Sequence, residues 1–476
     1  MDGSKLHVAI LVSPGMGHLV PVLLLANRLA TQHGVKVTVL AVTTSFSPPE
    51  SHLLEIPTEK NLVDRIELPP VDISRLIKPD TKVVAQLCMM LREALPGIRS
   101  TISAMNHRPD ALIVDHFGTE ALPIAAEFNM AKYVYVPTGA WFTALTLYCP
   151  VLDKEIEGQY VDQEDFLKIP GCKLVRPEDV VDPMLDRNDQ QYDEYVSMGT
   201  RIPQFDGILL NTWQDLDSTT LKAFKENEIW RSIVKIPVHP IGPLRRPVQP
   251  EGSKSAVIEW LDKQTNESVI FVSFGSGGML SAQQITELAF GLELSEQKFI
   301  WVVRPPTVGA ADDAFFTSKT VGSDGTPCYL PEGFSTRTGN FGLVVPMWAQ
   351  QAEILNHPSV GGFMSHCGWN STLESIRGGV PMIAWPLYAE QRLNATYLVE
   401  ELGIAVRPRV LPTKKVVARE EIEKMVRTLM DDEGGKKMRE NVKKLKISAE
   451  NALSKGGSSY NSLSEMLKHV ADKLKA

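Results

Sequence analysis

Short apolar runs rich in β-branched residues recur along the chain, each followed by a glycine-containing turn and then a stretch with helical spacing. That alternation marks parallel strands joined by crossover helices, because a parallel neighbour is reached only through a long return. "LHVAILVSPGMGHLVPVLLLANRLATQHG" sets the pattern, and "VKVTVLAV", "ALIVDHF", "YVYVP" and "GILLNTW" extend it. A second set follows: "VIFVSFGSG", "FIWVVRP", "GLVVPMW", "GGFMSH" and "VPMIAWP". Between the sets, "IPVHPIGPLRRPVQPEGSKSA" is rich in proline, glycine and charge and reads as a linker. The expectation is an α/β protein of two doubly wound domains: residues 1–240, a linker at 241–255, and a second domain over 256–455. A last amphipathic helix, within 456–476, is expected to pack back on the first domain. Such sheets bind ligands beyond the carboxyl ends of their strands. Two of them facing a cleft would place the chemistry at strand ends.

Composition narrows the partners. With 476 residues, 43% hydrophobic and 22% charged, the chain can bury two or three cores and is not a disordered protein. A net charge of −8 argues against nucleic acid, which asks for a basic face. The five cysteines (Cys88, Cys149, Cys172, Cys328, Cys367) form no C-x-x-C pair and read as free thiols in a reducing compartment. The N-terminus lacks a signal-peptide pattern, and no run reaches the ~18–20 apolar residues of a membrane span. A monomeric cytoplasmic protein with no membrane span and a small-molecule partner is expected.

Among the strand ends, "SPGMGH" closes the first strand and opens a helix, with Pro21 expected in its first turn. His18 then stands at the positive end of a helix, a place that disfavours an added proton and suits a base. An orienting carboxylate is offered by Asp115 in "LIVDHFG", with His116 as rival, since neighbours on a strand point to opposite faces. In "VSFGSGG", Gly275, Gly277 and Gly278 let backbone approach an oxyanion and Ser276 adds a hydroxyl, although no P-loop lysine follows. "HCGWNSTLES" starts a helix after a strand and reads as an anion site, with Asn370 and Ser371 capping, His366 donating and Glu374 one turn along. Metal binding is poorly served there: His366 and Cys367 diverge, and Cys367 reads as packing. "DLD" at Asp215–Asp217 reads as a helix start with an acidic first turn.

Taken together, "WAQQAEILNHPSVGGFMSHCGWNSTLESIRGGVPMIAWPLYAEQ", Trp348–Gln391, resembles the signature box of plant family 1 UDP-glycosyltransferases. "SPGMGH", "VDHFG", "VSFGSGG" and the domain layout agree, and the chain is most similar to the branch that glucosylates phenols such as hydroquinone. Gln350 stands where that box usually has proline. The resemblance implies a GT-B fold of two Rossmann-like domains and inverting, metal-independent transfer of glucose from UDP-glucose, a co-substrate, with no permanently bound cofactor. It implies His18 and Asp115 as the catalytic pair. It implies Trp348 stacked on uracil, the Ala349 backbone beside it, Gln351 and Glu374 at the ribose, and His366, Asn370, Ser371 and Ser276 on the diphosphate. Trp369, Glu390 and Gln391 would read the sugar, Glu390 accepting and Gln391 both donating and accepting. The acceptor pocket is expected from Met16, Phe117, Trp141, Phe142, Leu145, Tyr148 and Tyr388, suiting a flat phenol or an indoxyl-type hydroxyl.

Two other classes are weighed. A nicotinamide-dependent oxidoreductase would show G-x-G-x-x-G and a later acid, which are absent in that order. A nucleotide-sugar binding protein without catalysis would keep the box and lose His18 or Asp115; both stand.

Overall fold

The computed structural model describes residues 5–43, 62–244, 255–306 and 329–475. Cys328 and residues 245–254 of the expected linker lie outside them. The chain divides into two compact units, residues 1–247 with 449–476, and residues 248–448.

The first unit holds a parallel sheet of seven strands: β1 His7–Val12, β2 Lys36–Ala41, β3 Val63–Glu67, β4 Ala111–Asp115, β5 Ala131–Val136, β6 Gly207–Leu210 and β7 Val238–Pro240. Their order is β3-β2-β1-β4-β5-β6-β7. Every residue of β1 and β4 is buried, as expected of central parallel strands covered on both faces. Helix α1, Met16–His33, follows β1 and ends on Gly34, whose left-handed φ of 66° lets its N–H return to the Ala30 carbonyl. Pro21 lies inside α1, not in its first turn, because the helix already begins at Met16. Helix α2, Ala140–Glu155, is buried from Ala140 to Cys149.

The second unit holds β8 Val269–Ser273, β9 Lys298–Val303, β10 Gly342–Pro346, β11 Val360–Ser365, β12 Met382–Ala384 and β13 Ala405–Val406. These pair in the order β10-β9-β8-β11-β12-β13. Helix α3, Trp369–Gly378, follows β11, and helix α4, Gln391–Thr396, follows β12. Each unit is thus a parallel sheet joined by crossover helices, the α/β layering that a GT-B fold asks for.

The last helix, α5, Ser458–Lys473, belongs to the first unit. Its Leu463, Met466, Leu467 and Val470 enter the same core as β1, β2 and α1, each worth roughly 1.5–3 kcal/mol of burial. Lys473 Nζ also pairs with Asp206 at 2.7 Å, and Ser459 Oγ donates to the Gly242 carbonyl at 2.6 Å. Among the described residues no helix is long and apolar enough to cross a membrane.

Each sheet has one point where strand order reverses: between β1 and β4 in the first, and between β8 and β11 in the second. At such a point the two exit loops diverge and leave a crevice beyond the strand ends.

Candidate active site

At the β1/β4 crevice the register pairs Leu11 with Val114, so the residues just past each strand become neighbours. Gly15 supports the sharp turn into α1 with φ 109° and ψ 142°, a conformation that strains any side chain. His18, third in α1, is thereby set over the end of β4. Its Nδ1 lies 3.4 Å from Asp115 Oδ2, long for a hydrogen bond and close enough to orient the ring.

Asp115 is fully buried and held from several directions. Oδ2 accepts from the Ser13 N–H at 2.8 Å and from the Ser13 hydroxyl, while Oδ1 accepts from the N–H groups of Phe117 and Gly118 at 3.2 Å each. Burial alone would raise this carboxyl. The His18 ring, helped by the Ser13 hydroxyl, outweighs it and holds the group below its ordinary value.

Strand alternation was expected to let only one of Asp115 and His116 adjoin the site. Both do, because β4 stops at Asp115 and the chain turns at once into a 3₁₀ helix, His116–Ala121. The His116 ring is 5.3 Å from that of His18, and Phe117 is 5.1 Å from it. Burial drives His116 down to about 3, with the charge of His18 adding to it, so its imidazole is neutral and a poor proton acceptor. Of the two rings, His18 is the less buried and the one that approaches Asp115 Oδ2.

Of the expected acceptor residues, Phe117 and Phe142 gather around these rings, Phe142 meeting His116 edge-on at 5.6 Å. Met16 is half-buried at the start of α1 and packs on the core. Trp141 and Leu145 are buried within α2, and Tyr148 meets the wholly buried Trp230 edge-on at 5.8 Å. Tyr388 stands in the other unit, its ring 6.5 Å from that of His366. Asp217 of the "DLD" run accepts from the Ala140 N–H at 3.0 Å and the Thr212 hydroxyl at 2.6 Å, tying the start of α2.

The β8/β11 crevice is built differently. His366 leaves β11 buried between two glycines: a Cβ at Gly275 would stand 2.5 Å from its Cε1, and one at Gly368 2.6 Å from its Nε2. Gly275 also holds φ 76°. Burial, helped by the charge of Arg304, lowers His366 to about 4, so it is a neutral hydrogen-bonding ring. Cys367 is buried with its thiol pushed up to about 12, which makes it packing and no nucleophile.

Helix α3 starts on Gly368 with no side-chain cap. Asn370 and Ser371 are therefore its second and third residues, not caps as expected, since the turn at Gly368 places Trp369 first. The Ser371 hydroxyl accepts from Gln351 Nε2 at 2.9 Å, and the same nitrogen donates to Glu374 at 2.7 Å, which joins Gln351, Ser371 and Glu374 in one group. Trp348 is 56% exposed, set out by the left-handed Met347 (φ 64°), with Ala349 and Gln350 leading into the short helix Gln351–Leu355. Gln350 has φ −75°, within the range a proline imposes, so the exchange leaves the local backbone path intact.

After β12 the turn is irregular, with Ala389 at φ 56°. Glu390 precedes α4, and Gln391 is its first residue. Gln391 Oε1 accepts from the N–H groups of Leu387 and Tyr388, at 2.9 and 3.0 Å. The expectation that Gln391 both donates and accepts toward a ligand is thus corrected: its acceptor is consumed by the turn, leaving Nε2 to donate. Trp369 is buried against Tyr397, ring to ring at 6.1 Å. Ser276 is exposed on the β8 exit loop, and its carbonyl accepts from Arg304 Nη1.

Sequence reading missed three contributors. Ser13 lies inside the quoted "SPGMGH", and its proximity to Asp115 depends on β1 and β4 being neighbours. Asn394 donates to the Cys367 carbonyl at 2.9 Å, pinning the turn before α3. Arg304 directly follows β9, and the run "FIWVVRP" marks a strand without marking its arginine.

Residues 247–448 match the family described as UDP-glucoronosyl and UDP-glucosyl transferase. Over 463 residues the chain is 54% identical to anthocyanidin 3-O-glucosyltransferase 5 of Manihot esculenta, covering 97% of this chain and 95% of that one. Hydroquinone glucosyltransferase of Rauvolfia serpentina is 41% identical over 469 residues, covering 97% of each. The crystal structure of TcCGT1 in complex with UDP superposes with a TM-score of 0.91 at 48% identity, covering 99% of this chain and 100% of that one.

Proposed function

The chain belongs to the plant family 1 UDP-glycosyltransferases and is a glycosyltransferase, and we propose that it transfers glucose from UDP-glucose, with inversion, to the hydroxyl of a small aromatic acceptor of phenol, hydroquinone or indoxyl type. The observation that carries this reading is the His18–Asp115 pair, with a fully buried carboxylate 3.4 Å from the ring nitrogen. His18 takes the proton from the acceptor hydroxyl as its oxygen attacks the anomeric carbon. The bond from that carbon to the diphosphate breaks, its electron pair leaves with UDP, and Asp115 stabilises the imidazolium. Attack opposite the leaving group yields the β-glucoside.

The donor falls to the second unit. Trp348 offers an exposed face to uracil, Gln351 and Glu374 serve the ribose, and Ser276, His366, Asn370, Ser371 and the start of α3 receive the diphosphate. No resident metal or cofactor enters this scheme. Glu390 accepts from the sugar and Gln391 donates from Nε2, a pairing that fits glucose better than its C4 epimer. Names of relatives support an aromatic hydroxyl as acceptor, anthocyanidin and hydroquinone among them. Phe117 and Phe142 supply the nearest aromatic walls to His18. A monomer acting in the cytoplasm is the accompanying proposal.

The test is UDP release from UDP-glucose with and without hydroquinone, with EDTA added in parallel and the anomeric configuration of the product read by proton NMR. A β-linked product formed at an EDTA-insensitive rate is expected. An α-linked product ends the inverting reading, and a rate lost to EDTA and restored by a divalent ion ends the metal-independent one. UDP-galactose should be used at least tenfold less well, an unpaired buried polar group costing about 1–3 kcal/mol.

A further inference from the structure

We propose that Arg304 is the full positive charge of the donor site, its guanidinium facing the nucleotide diphosphate and bearing the charge that builds there as the glycosidic bond breaks. This rests on reading Ser276 and His366–Ser371 as the diphosphate site.

Arg304 directly follows β9, the neighbour of β8. Its Nη1 donates to the Ser276 carbonyl in the loop that also carries Gly275, against which the His366 ring rests. Its charge is felt at two further strand exits: it adds to burial in lowering His366 after β11, and Tyr388 after β12 lies within its electrostatic reach. One side chain thus touches or polarises the exits of β8, β11 and β12 at the crevice.

Arg304 is half-buried, and among the described residues no carboxylate pairs with it. Arg92 pairs with Glu120 and Glu194, and Arg187, Arg337 and Arg419 pair with Asp153, Glu293 and Glu287. The Ser276 carbonyl takes a single hydrogen bond, and the guanidinium has five N–H donors. A partly desolvated cation with donors to spare is costly unless an anion completes it. Phosphate oxygens match that planar fork better than any other common anion besides carboxylate.

The chemistry asks for such a charge. When the bond from the anomeric carbon to the diphosphate breaks, its electron pair stays on the diphosphate oxygen, adding negative charge to a group already anionic. His366 is neutral at working pH, since burial holds it at about 4. The start of α3 contributes only about half a charge. Arg304 supplies a whole one beside Ser276 and His366, without a metal ion.

Uridine, UMP and UDP titrated calorimetrically into the wild type, Arg304→Gln and Arg304→Lys, each at low and high salt, separate the possibilities. Arg304→Gln is expected to bind uridine as the wild type does, to bind UDP roughly 10–100-fold more weakly, and to lose part of the salt dependence. Arg304→Lys keeps the charge and should recover much of the UDP affinity; if the glutamine variant does not fold, the lysine variant carries the test through its salt dependence, which should match the wild type. With UDP-glucose and acceptor, kcat should fall in Arg304→Gln along with UDP affinity. An unchanged ratio of UDP to uridine affinity in Arg304→Gln overturns the inference. So does an equal loss for uridine and UDP, the signature of an arginine that merely holds the Ser276 loop. A wild type that binds UDP no tighter than uridine refutes the diphosphate site itself, an outcome distinct from failure at Arg304.

Discussion

The two crevices share a topology and differ in what fills them. At β1/β4 the strand ends carry a fully buried carboxylate, two imidazoles and a serine that fixes the carboxylate twice. At β8/β11 the corresponding positions carry glycines, a neutral buried histidine and an uncapped helix start. The first arrangement concentrates negative charge beside a ring nitrogen and so can move a proton. The second clears space and presents donors, and so can hold an anion. Sheet order makes a crevice; the side chains at four or five loop positions decide whether it does acid–base work or recognition.

The sharpest way to break this comparison is to remove the proton site alone. His18→Ala is expected to lower kcat by roughly 10²–10⁴-fold while UDP affinity stays within about twofold. Near-normal turnover in the folded variant would leave the first crevice without its assigned role. Asp115→Asn should follow the same pattern at equal or smaller cost, measured in the same assay.

Acid probes how tightly the second crevice seals its histidine. His366 has a folded-state pKa of about 4 against an ordinary 6.5, so the unfolded chain binds its proton first. Its contribution to stability is whole above pH 6.5 and is lost as pH falls toward 4, by an amount on the order of 3 kcal/mol. Thermal unfolding of the wild type and of His366→Gln should therefore converge as pH is lowered through that window. A constant difference in Tm would show the ring to be less sealed than its neighbours imply.

Gly368→Ala tests the space itself. Its Cβ would stand 2.6 Å from His366 Nε2, and relieving that overlap costs about 1–3 kcal/mol. UDP binding should weaken roughly 5–100-fold by calorimetry, and an unchanged Kd would mean that the ring moves freely.

The smallest expected effect sharpens the first crevice. His116→Phe keeps an aromatic ring against His18 and removes a nitrogen that is already neutral, so kcat should stay within roughly threefold of the wild type. A loss as large as that of His18→Ala would transfer the base to His116.

Much of this is legible in the sequence. The alternation of apolar runs announced the parallel sheets, and contiguous motifs named His18, Asp115 and the residues from Trp348 to Gln391. What escaped shows why. Strand β3, "VDRIE", is an edge strand with charged residues, and edges tolerate what central strands do not. Strand β7 falls within the proline-rich stretch, where composition spoke for linker and pairing with β6 prevailed.

Local periodicity and motif chemistry, which depend only on residues near one another in the chain, were thus determined by the sequence itself: two α/β units, a histidine at a helix start, glycines beside a strand end. Tertiary structure alone decided which strand ends became neighbours. That placed Ser13 on Asp115, brought His116 beside His18, spent the Gln391 oxygen on its own turn and laid Arg304 on Ser276. The physical reason is that satisfying a buried polar group is a non-local matter: its partner comes from whichever loop the sheet order sets beside it, and spacing along the chain carries no record of that order.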